Sequence, residues 1–155
     1  MSSDELFLAL LAKCIQKVNL DALVVGSVAA ALSGVPIATV DVDLLVRNTP
    51  LNHKKIRDLA KALGANPPVE LSALDSVLRI SGAGADVDIL FDGLPGNLKF
   101  SSLKSRAATV QLGAFRLRVA TLEDVLKSKQ AVRRPKDLAH ISVLEDALKS
   151  RHKVK

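Results

Sequence analysis

The stretch LVVGSVAAALSGVPIATVDVDLLV, residues 23–46, decides the fold. It begins with a short apolar run, Leu23 to Val25, which ends at the pair Gly26-Ser27. The Ala-rich segment from Val28 to Leu32 favours a helix. The residues from Val40 to Val46 form a second apolar run that contains two acids. The stretch therefore predicts a strand, a tight turn, a short helix and a second strand.

The spacing of apolar residues predicts the remaining elements. Residues spaced as on one helical face predict helices over 4–18, 52–63, 122–132 and 135–149. Short β-type runs predict strands over 69–71, 77–80, 87–91, 110–112 and 115–119, the last two joined as a hairpin. This order predicts an α/β (α+β) fold, with helices packed on a mixed β-sheet, in a single domain over residues 1–155.

The composition is that of a globular domain. The chain has 155 residues, of which 48% are hydrophobic and 25% charged, and this balance argues against intrinsic disorder. The single cysteine, Cys14, excludes an internal disulfide and favours a reducing compartment. No apolar run reaches the roughly 18 residues of a membrane span, and the N-terminus is acidic where a secretory signal is basic. We therefore expect a soluble, cytoplasmic protein that does not enter a membrane.

Positive charge is concentrated towards the C-terminus. Residues 1–98 hold eight Lys and Arg against eleven Asp and Glu, a balance of −3, whereas residues 99–155 hold fourteen against five, a balance of +9. This asymmetry suggests carboxylates that do chemistry and cations that hold a polyanion. The cations expected beside the acidic site are Arg116, Arg118, Lys129, Arg133 and Lys136. Because Trp and Tyr are absent, a structured RNA such as transfer RNA suits this surface better than an unstructured strand.

Two pairs of acids interrupt apolar strands. Asp41 and Asp43 share one strand face because side chains alternate along a strand, and Asp86 and Asp88 repeat the pattern. Two close carboxylates repel each other unless a cation lies between them, and their oxygens suit Mg²⁺. A third acid beside the first pair would complete a site for one or two divalent ions that supports phosphoryl transfer. From the residues alone, either Asp86 or Asp88 can be that third acid.

Other polar residues have competing interpretations. Gly26-Ser27 lets the backbone approach an anion such as phosphate at the start of a helix, or it is an ordinary turn in which Ser27 caps the helix. Asp137 is expected to cap its helix or to pair with a nearby cation. The three histidines show no ligand spacing, so zinc is not predicted.

The spacing of these motifs resembles the polymerase-β-type nucleotidyltransferase superfamily. Its signature is a glycine followed by Gly or Ser, a short helix, and two acids one residue apart; here Gly26-Ser27 is followed after thirteen residues by Asp41-Val42-Asp43. Asp88, followed by two apolar residues, is similar to the family's third acid. Thr39 also matches a position that is often Thr in minimal bacterial members. In one departure, Ile37 stands where many relatives carry a basic residue.

The C-terminal stretch resembles the closing helices of small toxin-type, AbiE-like nucleotidyltransferases. The matching residues run from Leu122 to Leu138 and include Lys129 and Lys136. The resemblance implies a single toxin-like enzyme that requires Mg²⁺, moves a nucleoside monophosphate from an NTP such as ATP to a hydroxyl of RNA or protein, and has an antitoxin as partner.

The resemblance also implies a role for each residue of the site. Asp41 and Asp43 would bind Mg²⁺ and, through it, the triphosphate. Asp88 would help to bind the catalytic ion and assist deprotonation of the acceptor hydroxyl. The residues expected to contact phosphates are Gly26, Ser27, Lys129 and Lys136. The alternative for the two lysines is that they belong to a solvated helix surface.

Two other functions stay open at the level of sequence. The same fold can serve as a catalytically weak module that binds a nucleotide or a partner, which the missing cation at Ile37 favours and the three acids disfavour. A transferase that modifies a small molecule such as an aminoglycoside is disfavoured because the chain has no second domain, aromatic or acidic, to hold a polycationic antibiotic.

Overall fold

The computed structural model describes residues 2–38, 41–72 and 76–154. Its helices are α1 (Ser3–Val18), α2 (Gly26–Leu32), α3 (Pro50–Ala62), α4 (Phe100–Arg106), α5 (Leu122–Val132) and α6 (Pro135–Val154). Its strands are β1 (Leu23–Val25), β2 (Val42–Val46), β3 (Val69–Ser72), β4 (Val77–Ile80), β5 (Val87–Phe91), β6 (Gly93–Leu94), β7 (Leu98–Lys99), β8 (Ala108–Leu112) and β9 (Phe115–Val119).

Seven of these strands form one mixed sheet, and β6 and β7 form a separate hairpin. The order across the sheet is β3-β4-β5-β2-β1-β9-β8. The pairs β2–β5 and β1–β9 are parallel, while the other neighbours are antiparallel. This arrangement confirms the predicted mixed sheet with helices, and it places β2, which carries Asp43, beside β5, which carries Asp88.

Alternation along the strands defines two faces of the sheet. One face carries Val24 of β1 and Leu44 of β2, both buried, and on it the ring of His53 in α3 stacks on Phe91 with centroids 4.9 Å apart. Helix α1 contacts α3 and β9. The opposite face carries Asp43, and we call it the acidic face. Helix α2 contacts β1, β2 and α5, and α5 contacts α6, so these three helices stand beside Asp43.

Local sequence explains where the helices begin. Ser2 and Glu5 form a capping box at α1, in which the Glu5 amide donates to Ser2 Oγ at 3.2 Å and the Ser2 amide donates to Glu5 Oε2 at 3.1 Å. The hydroxyls of Thr49 and Thr121 cap α3 and α5 by accepting from the Asn52 and Asp124 amides. Cys14 is buried in the core as expected, and burial raises the pKa of its thiol.

Three elements escaped the sequence-based prediction, and one acid lies outside its predicted strand. Each strand of the hairpin β6–β7 has two residues, and helix α4 has seven. These elements are too short to show a clear periodic pattern. Asp41 directly precedes β2 and is not inside it. Val40, at which that strand was predicted to begin, and Thr39, which matches the family signature, lie outside the described residues. In the described chain, no helix is both long and apolar enough to cross a membrane.

Helix α4 depends on Leu103, which is fully buried in the core. We expect Leu103→Ala to lower the free energy of unfolding by about 3 kcal/mol, because the truncation leaves a cavity. Leu51→Ala is the matched control, since Leu51 is 59% exposed, and it should change stability by less than about 0.5 kcal/mol. Urea denaturation of both variants measures the difference. Equal losses would show that α4 does not contribute to the core.

Candidate active site

The centre of the site is a row of side chains that crosses three strands on the acidic face. Arg79 of β4 pairs in register with Asp88 of β5, and Asp88 pairs with Asp43 of β2. Paired residues of neighbouring strands point to the same side of a sheet and lie about 5 Å apart. The register therefore favours Asp88 over Asp86 as the acid opposite Asp43, because Asp86 precedes β5.

Arg79 lies within ion-pair distance of three of the four acids in the two acid pairs, and Asp43 is the exception. Its Nε donates to Asp88 Oδ1 at 2.7 Å and its Nη2 donates to Asp88 Oδ2 at 3.0 Å, a two-pronged charge-assisted contact. The same guanidinium lies 3.9 Å from Asp41 Oδ2 and 3.7 Å from Asp86 Oδ2. Its hydrogen bond to Asp88 is the main cause that raises the pKa of Arg79. One arginine thus supplies the cation that the repelling carboxylates need.

Ionisation of the Asp43 carboxyl group is unfavourable in this site. Burial, followed by the charges of Asp88 and Asp41, raises the pKa of Asp43 from 3.8 to about 6, although Lys136 and Lys129 oppose the shift. An ionised Asp43 is therefore short of positive charge in the metal-free protein. A cation or a cation-bearing ligand that approached this carboxylate would relieve that cost.

Gly26 makes room for the Asp43 carboxylate. Val25 pairs in register with Asp43, so the start of α2 passes directly beside the acid. A Cβ atom at Gly26 would lie 2.6 Å from Asp43 Oδ2, and Gly26 has a φ of +69°. Only glycine fits both the space and the backbone conformation.

The other wall of the site is built around a buried lysine. Lys129 of α5 donates through Nζ to Ser27 Oγ at 3.0 Å and to Asp137 Oδ1 at 3.4 Å. Asp137 is fully buried and also accepts from the Arg134 amide at 3.1 Å and from Arg134 Nε at 2.7 Å. Asp137 thus both caps the start of α6 and pairs with cations, as predicted.

Burial and charge have opposite effects on this pair. Burial lowers the pKa of Lys129, and the Asp137 carboxylate opposes that shift without cancelling it. Burial would raise the pKa of Asp137, but the hydrogen bonds and charge of Arg134 outweigh it and hold that pKa below its ordinary value. Lys129 is therefore not a solvated residue of a helix surface, which was the alternative to a phosphate contact.

A cleft of about 480 Å³ separates the two walls. Its polar lining includes Gly26, Ser27, Asp43, Lys129, Arg134 and Lys136. Its apolar lining includes Val77, Leu90, Phe91, Leu94 and Pro95. The cleft can therefore hold a ligand that has an anionic part and a flat apolar part, with the missed β6–β7 hairpin forming one rim.

The structure brings most of the predicted site residues together. Asp43, Gly26, Ser27, Lys129 and Lys136 line the cleft, whereas Asp88 and Asp41 are not among its lining residues. Asp88 pairs in register with Asp43, and Asp88 and Asp41 both lie within ion-pair distance of Arg79. The expected basic surface is divided. Arg118 lies in a second depression and Arg116 in a third, beside α1. Ile37 is buried and packs in the core, so no cation comes from that position.

Two residues of the site were missed in the sequence. Arg79 is the only charged residue of an otherwise apolar strand, Val77-Leu78-Arg79-Ile80, and that signal resembles the one that singled out the acids. His140 shares a hydrogen bond with Ser27 Oγ through Nδ1 at 3.3 Å. It follows Asp137 by three residues and so lies on the same side of α6. Burial and the charge of Lys129 lower the pKa of His140.

The donor set fits a divalent ion in part. The carboxylate oxygens of Asp41 and Asp43 are the ligands that Mg²⁺ prefers, and the raised pKa of Asp43 marks a deficit of positive charge there. Both oxygens of Asp88 accept hydrogen bonds from Arg79. Among the described residues, no three acidic, histidine or cysteine side chains converge as a metal site. Asp88 as a third ligand therefore stays a prediction that requires Arg79 to move.

Solved structures with a similar fold include nucleotidyltransferases. A candidate nucleotidyltransferase from Thermotoga maritima is 18% identical with a TM-score of 0.59, over 97% of this chain and 96% of that chain. ANT(2″)-Ia, solved in complex with adenylyl-2″-tobramycin, is 11% identical with a TM-score of 0.67, over 97% and 92% of the two chains. An antigenic nucleotidyltransferase-like protein from Paracoccidioides brasiliensis is 20% identical with a TM-score of 0.52, over 93% and 77%.

The likeness to these structures establishes the fold. The sequence matches no protein-family model, and no curated protein is significantly similar to it. At identities of 11–20%, the three structures show that the chain has the nucleotidyltransferase fold and leave its activity to be argued from the site.

The raised pKa of Asp43 predicts a pH-dependent cost. The pKa of Asp43 is about 6 in the folded protein, above the ordinary 3.8. The protonated carboxyl therefore contributes its full share to the free energy of unfolding below pH 3.8, and this contribution is lost as the pH rises through 6. In EDTA, Asp43→Asn should therefore be more stable than the wild type by about 2–3 kcal/mol at pH 7.5, and the gain should vanish near pH 4. Urea denaturation at the two pH values tests this. A variant that is less stable at both would make Asp43 a structural residue.

Arg79 and a divalent ion should partly replace each other. In EDTA, Arg79→Met should lower the free energy of unfolding by about 1–2 kcal/mol, because the acids around it lose their cation. Adding millimolar Mg²⁺ should restore more stability to this variant than to the wild type. Arg57→Met is the control, since Arg57 is an exposed cation of α3. If Mg²⁺ stabilises the two variants equally, the carboxylates do not hold the ion.

Proposed function

We propose that this protein is a Mg²⁺-dependent nucleotidyltransferase that moves a nucleoside monophosphate from an NTP to a hydroxyl acceptor. The observation that carries the proposal is the cleft in which Asp43, short of positive charge, faces Lys129 held by Ser27 and Asp137. In a metal-bound triphosphate, the metal ion would supply the positive charge that Asp43 lacks, and the phosphates would pair with the positive charge of Lys129. The nucleotidyltransferase fold supports this chemistry.

The two walls divide the work of binding. Asp41 and Asp43 would hold the ion, which when bound supplies charge withdrawal from the phosphates. Lys129 donates two of its three N–H groups to Ser27 Oγ and Asp137 Oδ1 and can turn the third to a phosphate oxygen. Arg134 and Lys136 line the same cleft and would neutralise further phosphate charge. The apolar wall of Leu90 and Leu94 suits the nucleobase.

The chemical step follows from this placement. The acceptor hydroxyl oxygen forms a bond to the α-phosphorus, and the bond between that phosphorus and the oxygen bridging to the β-phosphate breaks. Pyrophosphate leaves with the electron pair, beside the cations of the second wall. The hydroxyl proton passes to a carboxylate, for which we assign Asp88 because it lies opposite Asp43 in the strand register. This role requires Arg79 to release at least one of the two Asp88 oxygens to which it donates.

The charge of the chain favours an anionic acceptor. Residues 99–155 have a balance of +9, and three cations line the cleft, so a polycationic acceptor of the kind in the ANT(2″)-Ia complex is disfavoured. The expectation that such an acceptor requires a second domain is not supported, because this chain covers 92% of ANT(2″)-Ia, which was solved with adenylyl-2″-tobramycin. An RNA hydroxyl therefore ranks first and a protein hydroxyl second. The resemblance of the sequence of residues 122–138 to toxin-type enzymes supports a role beside an antitoxin.

A second candidate function is a nucleotide-binding module without turnover. The specific observation in its favour is that Arg79 occupies both oxygens of Asp88. If Arg79 does not move, Asp88 has a structural role only, and the cleft can still bind a nucleotide. Release of pyrophosphate distinguishes the two functions, because only the enzyme produces it.

Nucleotide and metal should bind together. We expect Mg²⁺ with the preferred NTP to raise the melting temperature by more than either alone, because ligands of the folded state stabilise it by mass action. All four NTPs are titrated to millimolar levels in a melting assay. Lys129→Met should abolish the shift, and Lys61→Met, which removes an exposed cation of α3, should preserve it. No shift with any NTP would contradict both candidate functions.

A further inference from the structure

A second depression of about 460 Å³ lies on the outer side of helix α4. Its cations are Arg47, Lys104 and Arg118, and its hydroxyls are Ser101, Ser105 and Thr109. We call this set the basic patch. It has no apolar wall comparable to that of the cleft, so it suits a phosphate and not a nucleobase.

The basic patch is ordered before any ligand arrives. Asp21 joins two of its cations, accepting from Arg47 Nη1 at 3.3 Å and from Lys104 Nζ at 2.7 Å. The Arg47 guanidinium also lies 4.4 Å above the centre of the Phe100 ring. Arg118 makes no salt bridge within the described part of the chain. With Asp21 counted, the patch keeps an excess of two positive charges.

The strand register places the basic patch on the acidic face. Val119 of β9 pairs with Val24, so Arg118 stands next to Leu23, and Leu23 pairs with Leu45. Leu45 shares its face with Asp43 because the two are two residues apart. Arg118 is thus separated from Asp43 by two strand spacings across the sheet and by two residues in the strand direction. These spacings give a distance of about 12 Å between the two Cα atoms.

We propose that the basic patch binds the phosphate backbone of the RNA whose hydroxyl is the acceptor in the cleft. This inference rests on the proposed function. A separation of about 12 Å corresponds to three or four nucleotides at 3.4 Å each along a stacked strand. One NTP in the cleft does not span that distance with its triphosphate, whereas an RNA end that enters the cleft places later phosphates over α4. Contacts of this kind read the backbone and its shape.

The test compares RNA binding by two matched double variants. Lys104→Ala with Arg118→Ala removes two cations of the patch, and Arg57→Ala with Lys61→Ala removes two exposed cations of α3 on the other face. Transfer RNA binding is measured by fluorescence anisotropy at 50 to 200 mM salt. The patch variant should bind at least about fivefold more weakly, and its salt slope should fall by about 1.5 to 2. The control variant should match the wild type.

The outcomes separate this inference from the proposed function. If the patch variant and the control bind RNA alike, or if polyglutamate competes as well as RNA does, the patch is not an RNA site. A polyglutamate preference would indicate an acidic protein partner instead. The melting shift with Mg²⁺ and NTP should be the same in the patch variant as in the wild type. If the wild type shows no such shift, the proposed function fails. Arg118→Ala alone, which breaks no salt bridge, replaces the double variant if that variant unfolds.

Discussion

The carboxylate of Asp43 sets the constraint on which the site depends. It is an acid on a buried strand, opposite Asp88 and near Asp41, and its raised pKa measures the cost of that position. The surroundings limit this cost in three ways: Arg79 neutralises Asp88, Lys136 and Lys129 oppose the shift, and Gly26 leaves space for the oxygen. The metal-bound nucleotide of the proposed function would remove this cost.

The buried Lys129 connects the two halves of the chain. Its bond to Ser27 Oγ spans 102 residues and joins the basic C-terminal helices to the glycine-serine turn. Asp137 fixes the lysine from one side and is itself fixed by Arg134. The asymmetry of charge along the sequence therefore reappears in the cleft. The sheet supplies Asp43, and the α5–α6 region supplies Lys129, Arg134 and Lys136.

The sequence was sufficient for some parts of the site because they follow from local rules. Alternation along a strand places Asp86 and Asp88 on one face without any structure, and Gly26 marks a close approach. The register between strands was not predictable, since no local rule states that β4 lies beside β5 and brings Arg79 to Asp88. The short elements β6, β7 and α4 escaped because so few residues cannot show a period. Lys129 was found through resemblance, and its burial against Asp137 required the packing of α5 on α6.

The central claim is that the cleft transfers nucleotide and does not only bind it. The most direct measurement incubates the protein with Mg²⁺, each α-³²P-labelled NTP and total RNA, and follows both the label and released pyrophosphate. We expect label on RNA with an equal amount of pyrophosphate, and loss of both in Asp43→Asn. Binding of an NTP without label on RNA or protein, and without pyrophosphate, would contradict it.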